Sequence, residues 1–196
     1  RIPERTLREE NGNTVIEHRT PLGVCAAITP WNFPVVLLTN KLGPCLLTGN
    51  TMVAKPAPTT PLTSLLFAEL AKDILPPGVF NMICDENDLG PLLTAHPDVA
   101  KVAFTGSTAT GKKVMASVAQ GVKRVTLELG GNDAAIVLDD VPPALAARKI
   151  YGGAMTNAGQ VCVAVKRAFV PEAMYDEFCE EIAQLAAQAV VDDGAK

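Results

Sequence analysis

The stretch NAGQVCVAVKR, residues 157–167, sets Cys162 in a polar, glycine-bearing turn ahead of Val, Ala and Val and two basic residues. A thiol in such a place can act as a nucleophile once it is ionised, because the thiolate rather than the neutral thiol attacks. The same neighbours equally suit a small apolar residue at the start of a strand. Upstream, TLELGGND carries Glu128 between Leu127 and Leu129. If the two leucines face a core, strand alternation turns Glu128 to the opposite face. There it is either a solvated strand-end carboxylate or one lining a cleft. In an apolar cleft its pKa would rise toward that of a usable base near neutrality.

Three further stretches carry candidate groups. In PWNFP, Asn32 is an amide held between Trp31 and Phe33-Pro34, the kind of preorganised donor that an oxyanion needs. Trp31, the single tryptophan, also reads as a core aromatic of that rigid turn. Lys55 closes TMVAK and could reach a ribose or phosphate, although a solvated lysine at a strand end is the plainer reading. FTGSTATG, residues 104–111, is neither GxGxxG nor a P-loop. It is a tight strand-to-helix turn in which Gly106 lets the backbone come close. Free N–H groups at the helix start, with the Ser107 hydroxyl, could receive an anion. An ordinary capped helix fits that stretch as well.

The elements that must position these groups alternate along the chain. Strands are predicted at 23–28, 51–55, 79–83, 100–104 and 123–128. Helices are predicted at 35–48, bent at Pro44 and stopped by Gly49, then from Thr60 as N-cap with Leu62, Leu65, Leu66, Leu70 and Ile74 at helical spacing. A short one lies at 88–95, and another runs from Gly106-Ser107 to about Ala119. Beyond Gly130-Gly131, the most plausible hinge, come strands at 134–138 and 163–170 and helices at 143–157 and from Met174 to Ala189. Strands separated by helices of this length give a parallel sheet covered on both faces. Ligands of such sheets lie beyond the carboxyl ends of the strands, where Trp31, Asn32, Lys55, Gly106, Ser107 and Glu128 all fall.

Composition excludes several classes. At 48% hydrophobic and 19% charged the chain has ordinary globular composition. A net charge of −4 argues against a binder of nucleic acid driven by phosphate contacts. Five scattered cysteines with no CxxC, and two histidines without ligand spacing, give no metal site and suggest reduced thiols in the cytoplasm. The polar N-terminal stretch shows no signal peptide. FPVVLLTNKLGPCLLTG is interrupted by Asn40, Lys41 and Pro44 and is too short to span a bilayer. An initial Arg and an ending, DDGAK, just past a helical pattern suggest a fragment.

In this order, PWNFP, KPAP with its lysine, FTGSTATG, LELGGN and NAGQVC resemble the aldehyde dehydrogenase superfamily, from about Pro21 to the end of the chain. The resemblance implies an α/β fold in which a Rossmann-like parallel-sheet cofactor domain, 21–129, is followed by the first part of a second α/β catalytic domain, 130–196. Residues 1–20 look like part of the β-arm of the oligomerisation region. The implied reaction is the hydrolytic one, from aldehyde to carboxylic acid. Cys162 looks like the nucleophile, forming a thiohemiacetal and then a thioester. Asn32, with the backbone N–H of Cys162, looks like the oxyanion hole. Glu128 looks like the base for Cys162, for the hydrolytic water, or for both.

Lys55 is similar to the lysine that binds the adenosine ribose. Gly106 and Ser107 resemble the pyrophosphate turn, Ile28, Pro30 and Trp31 the lining of the cofactor cleft, and Leu129 goes with these cofactor-binding residues. Pro58 stands where many NAD-preferring members carry a glutamate, so the cofactor is NAD or NADP, with NAD placed first. Coenzyme-A-dependent acylating members commonly lack a glutamate at the position of Glu128, which favours the hydrolytic type. A second rival is the semialdehyde branch within that type, which the incomplete substrate funnel leaves open, and a third is a non-catalytic nucleotide-binding relative, against which the joint presence of Cys162, Glu128 and Asn32 argues. The family's catalytic domain continues past Lys196, so the chain alone is expected to be poorly active. The full-length parent is expected to be a homodimer or homotetramer acting on a small-molecule aldehyde, with no nucleic acid, membrane or metal partner.

Overall fold

The computed structural model describes residues 2–193, so part of the closing DDGAK lies outside the described residues. Two compact units divide the chain, one ending at Leu129 and the other beginning at Gly130.

The first unit opens with an antiparallel hairpin of β1 (Arg5–Glu10) and β2 (Asn13–Glu17). Asn11 and Gly12 join them with φ of 52° and 76°. Positive φ at both central residues matches a two-residue turn to the twist of the strands. Leu7, Val15 and Ile16 of the hairpin are exposed.

The rest of the unit is β3 (Val24–Ile28), α1 (Pro34–Leu47), β4 (Thr51–Lys55), α2 (Leu62–Ala71), β5 (Phe80–Met82), α3 (Leu89–Ala95), β6 (Val99–Thr105), α4 (Thr108–Ala119) and β7 (Arg124–Glu128). The strands form one parallel sheet in the order β5-β4-β3-β6-β7. Successive residues of β3 serve opposite faces, as a strand's period of two dictates. Ala26 and Ile28 join Leu93, Val102, Phe104, Val114 and Val118 beneath α3 and α4. Cys25 and Ala27 join Leu38, Leu42, Cys45, Met52 and Ala54 beneath α1 and β4's other face. Burial on both faces explains why the sheet strands read as near-continuous apolar runs.

Helix α2 departs from the sequence reading in three ways. Its N-cap is Pro61 with no side-chain cap, because the Thr60 hydroxyl donates instead to the Trp31 carbonyl at 3.3 Å. It ends at Ala71, and turns at Ile74 and Leu75 close back onto the Ala71 carbonyl. Its leucine stripe does not face the sheet: Leu62 is 77% and Leu66 56% exposed, while Ser64 is buried. Phe67 makes the inward contact, edge-on to Phe80 at 6.2 Å between centroids.

The second unit holds β8 (Asp133–Ile136), α5 (Pro143–Met155), β9 (Val165–Phe169) and α6 (Tyr175–Gln188), with β8 and β9 paired in parallel. Its core is Val137, Ala146, Ala147 and Phe178, with Ile150, Met174, Ile182 and Leu185 packed around them. Phe178, Ile182 and Leu185, at helical spacing, therefore form the buried face of α6. The 143–157 helix stops at Met155 and the 163–170 strand starts only at Val165. The residues between them form the turn that carries Cys162. No helix among the described residues is long and apolar enough to cross a membrane.

Candidate active site

The register of the sheet brings the carboxyl ends of four strands level. Ile28 pairs with Lys55 on one side and with Phe104 on the other, and Thr105 pairs with Glu128. Backbone bonds then tie down the residues that leave the strands. Thr29 N–H donates to the Lys55 carbonyl and Gly106 N–H to the Glu128 carbonyl, both at 3.0 Å. Strand order reverses between β3 and β6, since β4 and β5 build out one way and β6 and β7 the other. Such a switch point is where open α/β sheets take their ligands. Pro30, Trp31 and Asn32 leave β3 there, Pro58 comes after β4, Gly106 and Ser107 after β6, and Leu129 after β7.

Several of these residues differ from the sequence expectation. Trp31 is 48% exposed, so it is not a core aromatic. Lys55 is not a solvated strand-end lysine. Its ammonium lies 2.7 Å from Asp85 Oδ1, and the two side chains are 5% and 0% exposed. Asp85 Oδ2 accepts from the Leu89 N–H at 3.0 Å. Burial alone would raise the Asp85 carboxyl, but the hydrogen bonds from Lys55 and Leu89 outweigh it and hold the group below the ordinary carboxylate range. The Ser107 hydroxyl is committed twice, accepting from Thr110 N–H at 3.2 Å and donating to the Thr110 hydroxyl at 3.0 Å. It therefore caps α4, leaving backbone N–H groups as the donors of that turn. Leu129 packs into the core against Gly111, where a Cβ would sit 2.5 Å from its Cδ2.

Glu128 obeys the alternation. Val125, Leu127 and Leu129 pack on the core beneath α4, and Glu128 stands exposed on the other face. Its charged neighbour is Lys41, which in the sequence stands out only as an interruption of an apolar run. Lys41, half-buried on α1, donates to Thr105 Oγ1 at 2.5 Å, beside Glu128 in the register. Burial pushes the Lys41 ammonium below the ordinary lysine range, and the charge of Glu128 offsets part of that shift. A lysine interrupting an apolar helical run is the available signal: burying it has to be compensated by a polar partner.

Cys162 belongs to the second unit and is exposed with a free thiol. Before it, Asn157, Ala158 and Gly159 take φ of 51°, 56° and 75° in succession. Two non-glycine residues in that left-handed region are costly and persist only where the surroundings fix them. After it, Ala164 N–H closes a turn on the Val161 carbonyl at 3.2 Å. Lys166 Nζ donates to the Val161 and Ala164 carbonyls at 3.0 and 3.2 Å, spanning the cysteine. From below, Gly131 approaches so closely that a Cβ there would lie 2.4 Å from the Cys162 carbonyl oxygen. Arg167 Nε donates to the Asn132 carbonyl at 3.0 Å, fixing the strand beside the same segment. The thiol is thus accessible while its peptide is held on several sides. No group of three or more His, Cys, Asp or Glu among the described residues could hold a metal.

Comparison with known proteins identifies the family. The profile of the aldehyde dehydrogenase family matches residues 1–196. The chain is 42% identical over 196 residues to retinaldehyde dehydrogenase 3 of Mus musculus, covering 98% of this chain and 38% of that protein. It is 44% identical over 178 residues to the succinate-semialdehyde dehydrogenase [NADP(+)] GabD of Escherichia coli, covering 90% and 37% respectively. The NAD+ complex of an aldehyde dehydrogenase from Bacillus cereus superposes with a TM-score of 0.94 at 38% identity, covering 100% of this chain and 40% of that one. The chain therefore spans about two fifths of the length of the proteins it matches.

Proposed function

The chain belongs to the aldehyde dehydrogenase family, and from that premise we propose that the full-length protein oxidises an aldehyde to a carboxylic acid with NAD(P), the substrate being carried on Cys162. The observation that supports this reading most is the Cys162 turn. Its exposed thiol sits on a peptide immobilised by a left-handed run, a double lysine tether and a glycine contact. Holding a nucleophile in place converts binding into rate, because little orientational freedom remains to be lost at the transition state.

On this reading the Cys162 thiolate adds to the aldehyde carbon and forms a thiohemiacetal. The Asn32 amide and the Cys162 N–H stabilise the oxyanion. NAD(P), when bound, supplies the hydride acceptor that oxidation needs. The residues fit it. After Gly106, Ser107 caps α4, whose first turn carries no acidic residue, so the helix start offers backbone N–H groups and no repelling carboxylate to a pyrophosphate. Ile28, Pro30, Trp31, Lys55, Pro58 and Leu129 would line that edge, with Lys55 toward the adenosine ribose. Glu128 takes the proton from Cys162, or from the water that hydrolyses the thioester, releasing the acid and restoring the thiol.

Residues 21–129 then form the cofactor domain and 130–196 the first part of the catalytic domain. The exposed hairpin of β1 and β2 suits an arm of a homodimer or homotetramer, and five free thiols suit a reducing cytoplasm. The test is NADH and NADPH formation by the full-length protein over a panel of aldehydes. Acid production with stoichiometric reduced cofactor is expected, and no turnover on any aldehyde contradicts the proposal.

A further inference from the structure

We propose that Thr60 positions Asn32 for the reaction by donating its hydroxyl to the carbonyl of the peptide that joins Trp31 to Asn32. The inference rests on the reading of Asn32 as the side-chain donor to the oxyanion. Two fastenings flank that peptide. Before it, Thr29 N–H donates to the Lys55 carbonyl at 3.0 Å; after it, Leu37 N–H donates to the Phe33 carbonyl at 3.0 Å as α1 begins. Between them the Thr60 hydroxyl reaches the Trp31 carbonyl at 3.3 Å. The connection that leaves β4 thus grips the loop between β3 and α1 at two points, Lys55 and Thr60.

The hydroxyl forgoes another use to make this bond. Thr60 stands just ahead of Pro61 at the start of α2, where a threonine side chain ordinarily caps a helix. Helix α2 nevertheless begins with no side-chain cap. Local rules broken in this way gather at functional sites. Thr60 is itself firmly held: its N–H donates to the Ala57 carbonyl at 3.1 Å, and Pro61 restricts the backbone of the residue before it. Because a peptide is planar, fixing the Trp31 carbonyl fixes the plane that carries the Asn32 nitrogen and Cα. The Asn32 amide is built out from that Cα. An oxyanion donor has to sit about 2.7–3.1 Å from the oxygen on which charge develops. A displacement of about 1 Å can cost roughly 10²-fold in rate. A peptide left to rock would carry the amide out of reach for part of the time. Thr60 thus acts through Asn32 and not on the substrate.

Steady-state kinetics and nucleotide binding of the full-length protein test this. Thr60→Val keeps the branched shape and removes the hydroxyl; Thr60→Ala serves the same purpose if the valine variant does not fold. Loss of the hydroxyl should lower kcat by about 3- to 10-fold. Aldehyde KM and NAD(P) affinity should stay within about twofold, because the lost interaction belongs to the transition state. Thr60→Ser, which keeps the hydroxyl, should recover most of the loss. The deciding readout is a double-mutant cycle with Asn32→Ala, on which background Thr60→Val should lower kcat by less than about twofold. An equal loss on both backgrounds overturns the inference, as does a folded Thr60→Val with unchanged kcat. The two levels fail separately. If Asn32→Ala lowers kcat by about 10²-fold or more while Thr60→Val changes nothing, only the role of Thr60 falls. If Asn32→Ala leaves kcat unchanged, the oxyanion reading itself falls and the inference with it.

Discussion

At the scale of single residues, environment separates groups that sequence alone leaves equal. Cys25 and Cys45 are buried, and the Cys45 thiol is pushed up by its hydrogen bond to Cys25 and by burial. Cys84, Cys162 and Cys179 are exposed, but Cys162 alone among them has a peptide held by Lys166 and by Gly131. Lys55 reads as solvated in the sequence because its partner, Asp85, lies 30 residues away and in another connection. No local pattern announces such a pair. It makes a signed prediction for acid stability. The Asp85 carboxyl is held below its unfolded value, so its contribution to stability is present above about pH 4 and is lost as pH falls through the depressed value. The unfolding temperature of Asp85→Asn should fall below that of the unaltered protein at pH 7, and the gap should narrow below about pH 4. A gap independent of pH would show that the ion pair is not its source. For Glu128, Glu128→Gln in the full-length protein should lower steady-state turnover by about 10²- to 10⁴-fold. If water activation is its main task, the first-turnover burst of reduced cofactor persists. If it chiefly activates Cys162, the burst slows as well.

At the scale of elements, the strands and most helices are legible because burial imposes its period on the residues. Both faces of β4 are covered, which makes Met52, Val53 and Ala54 a continuous apolar run between Thr51 and Lys55, and β4 occupies that span. The last helix shows its 3.6-residue stripe in the residues that pack on Phe178. The illegible parts come from non-local geometry. The stripe on α2 satisfies the helical pattern yet lies exposed, because periodicity specifies a face and not what covers it. The turn before Cys162 resembles a helix end, whereas three successive left-handed residues break it. Two glycine substitutions test how the elements support the nucleophile. Gly131→Ala places a Cβ against a backbone oxygen of Cys162, so it should destabilise by about 1–3 kcal/mol and cut kcat by roughly 10²-fold through a displaced thiol. Gly111→Ala meets only the tip of the Leu129 side chain, which can rotate, and should leave kcat within about threefold. Equal kcat losses in the two variants would contradict the positioning role of the Gly131 contact.

At the scale of the molecule, the sheet order is not written in any single segment. Alternating strands and helices indicate a parallel sheet, but the reversal between β3 and β6 depends on which strands pair, and that is a long-range choice. It matters because the reversal gathers the candidate groups of the first unit at one edge. A nucleotide bound there should stabilise the full-length protein by mass action, by about 2.7 kcal/mol at a concentration roughly 100 times its Kd. The preferred cofactor should therefore raise the unfolding temperature more than the other at equal concentration, and absence of any shift with either would remove the nucleotide from that edge. The central claim is that Cys162 carries the substrate, and the most direct measurement is aldehyde-dependent NAD(P)H formation by full-length Cys162→Ala. Turnover should fall by at least about 10³-fold with nucleotide affinity retained; turnover close to that of the unaltered protein would contradict the claim.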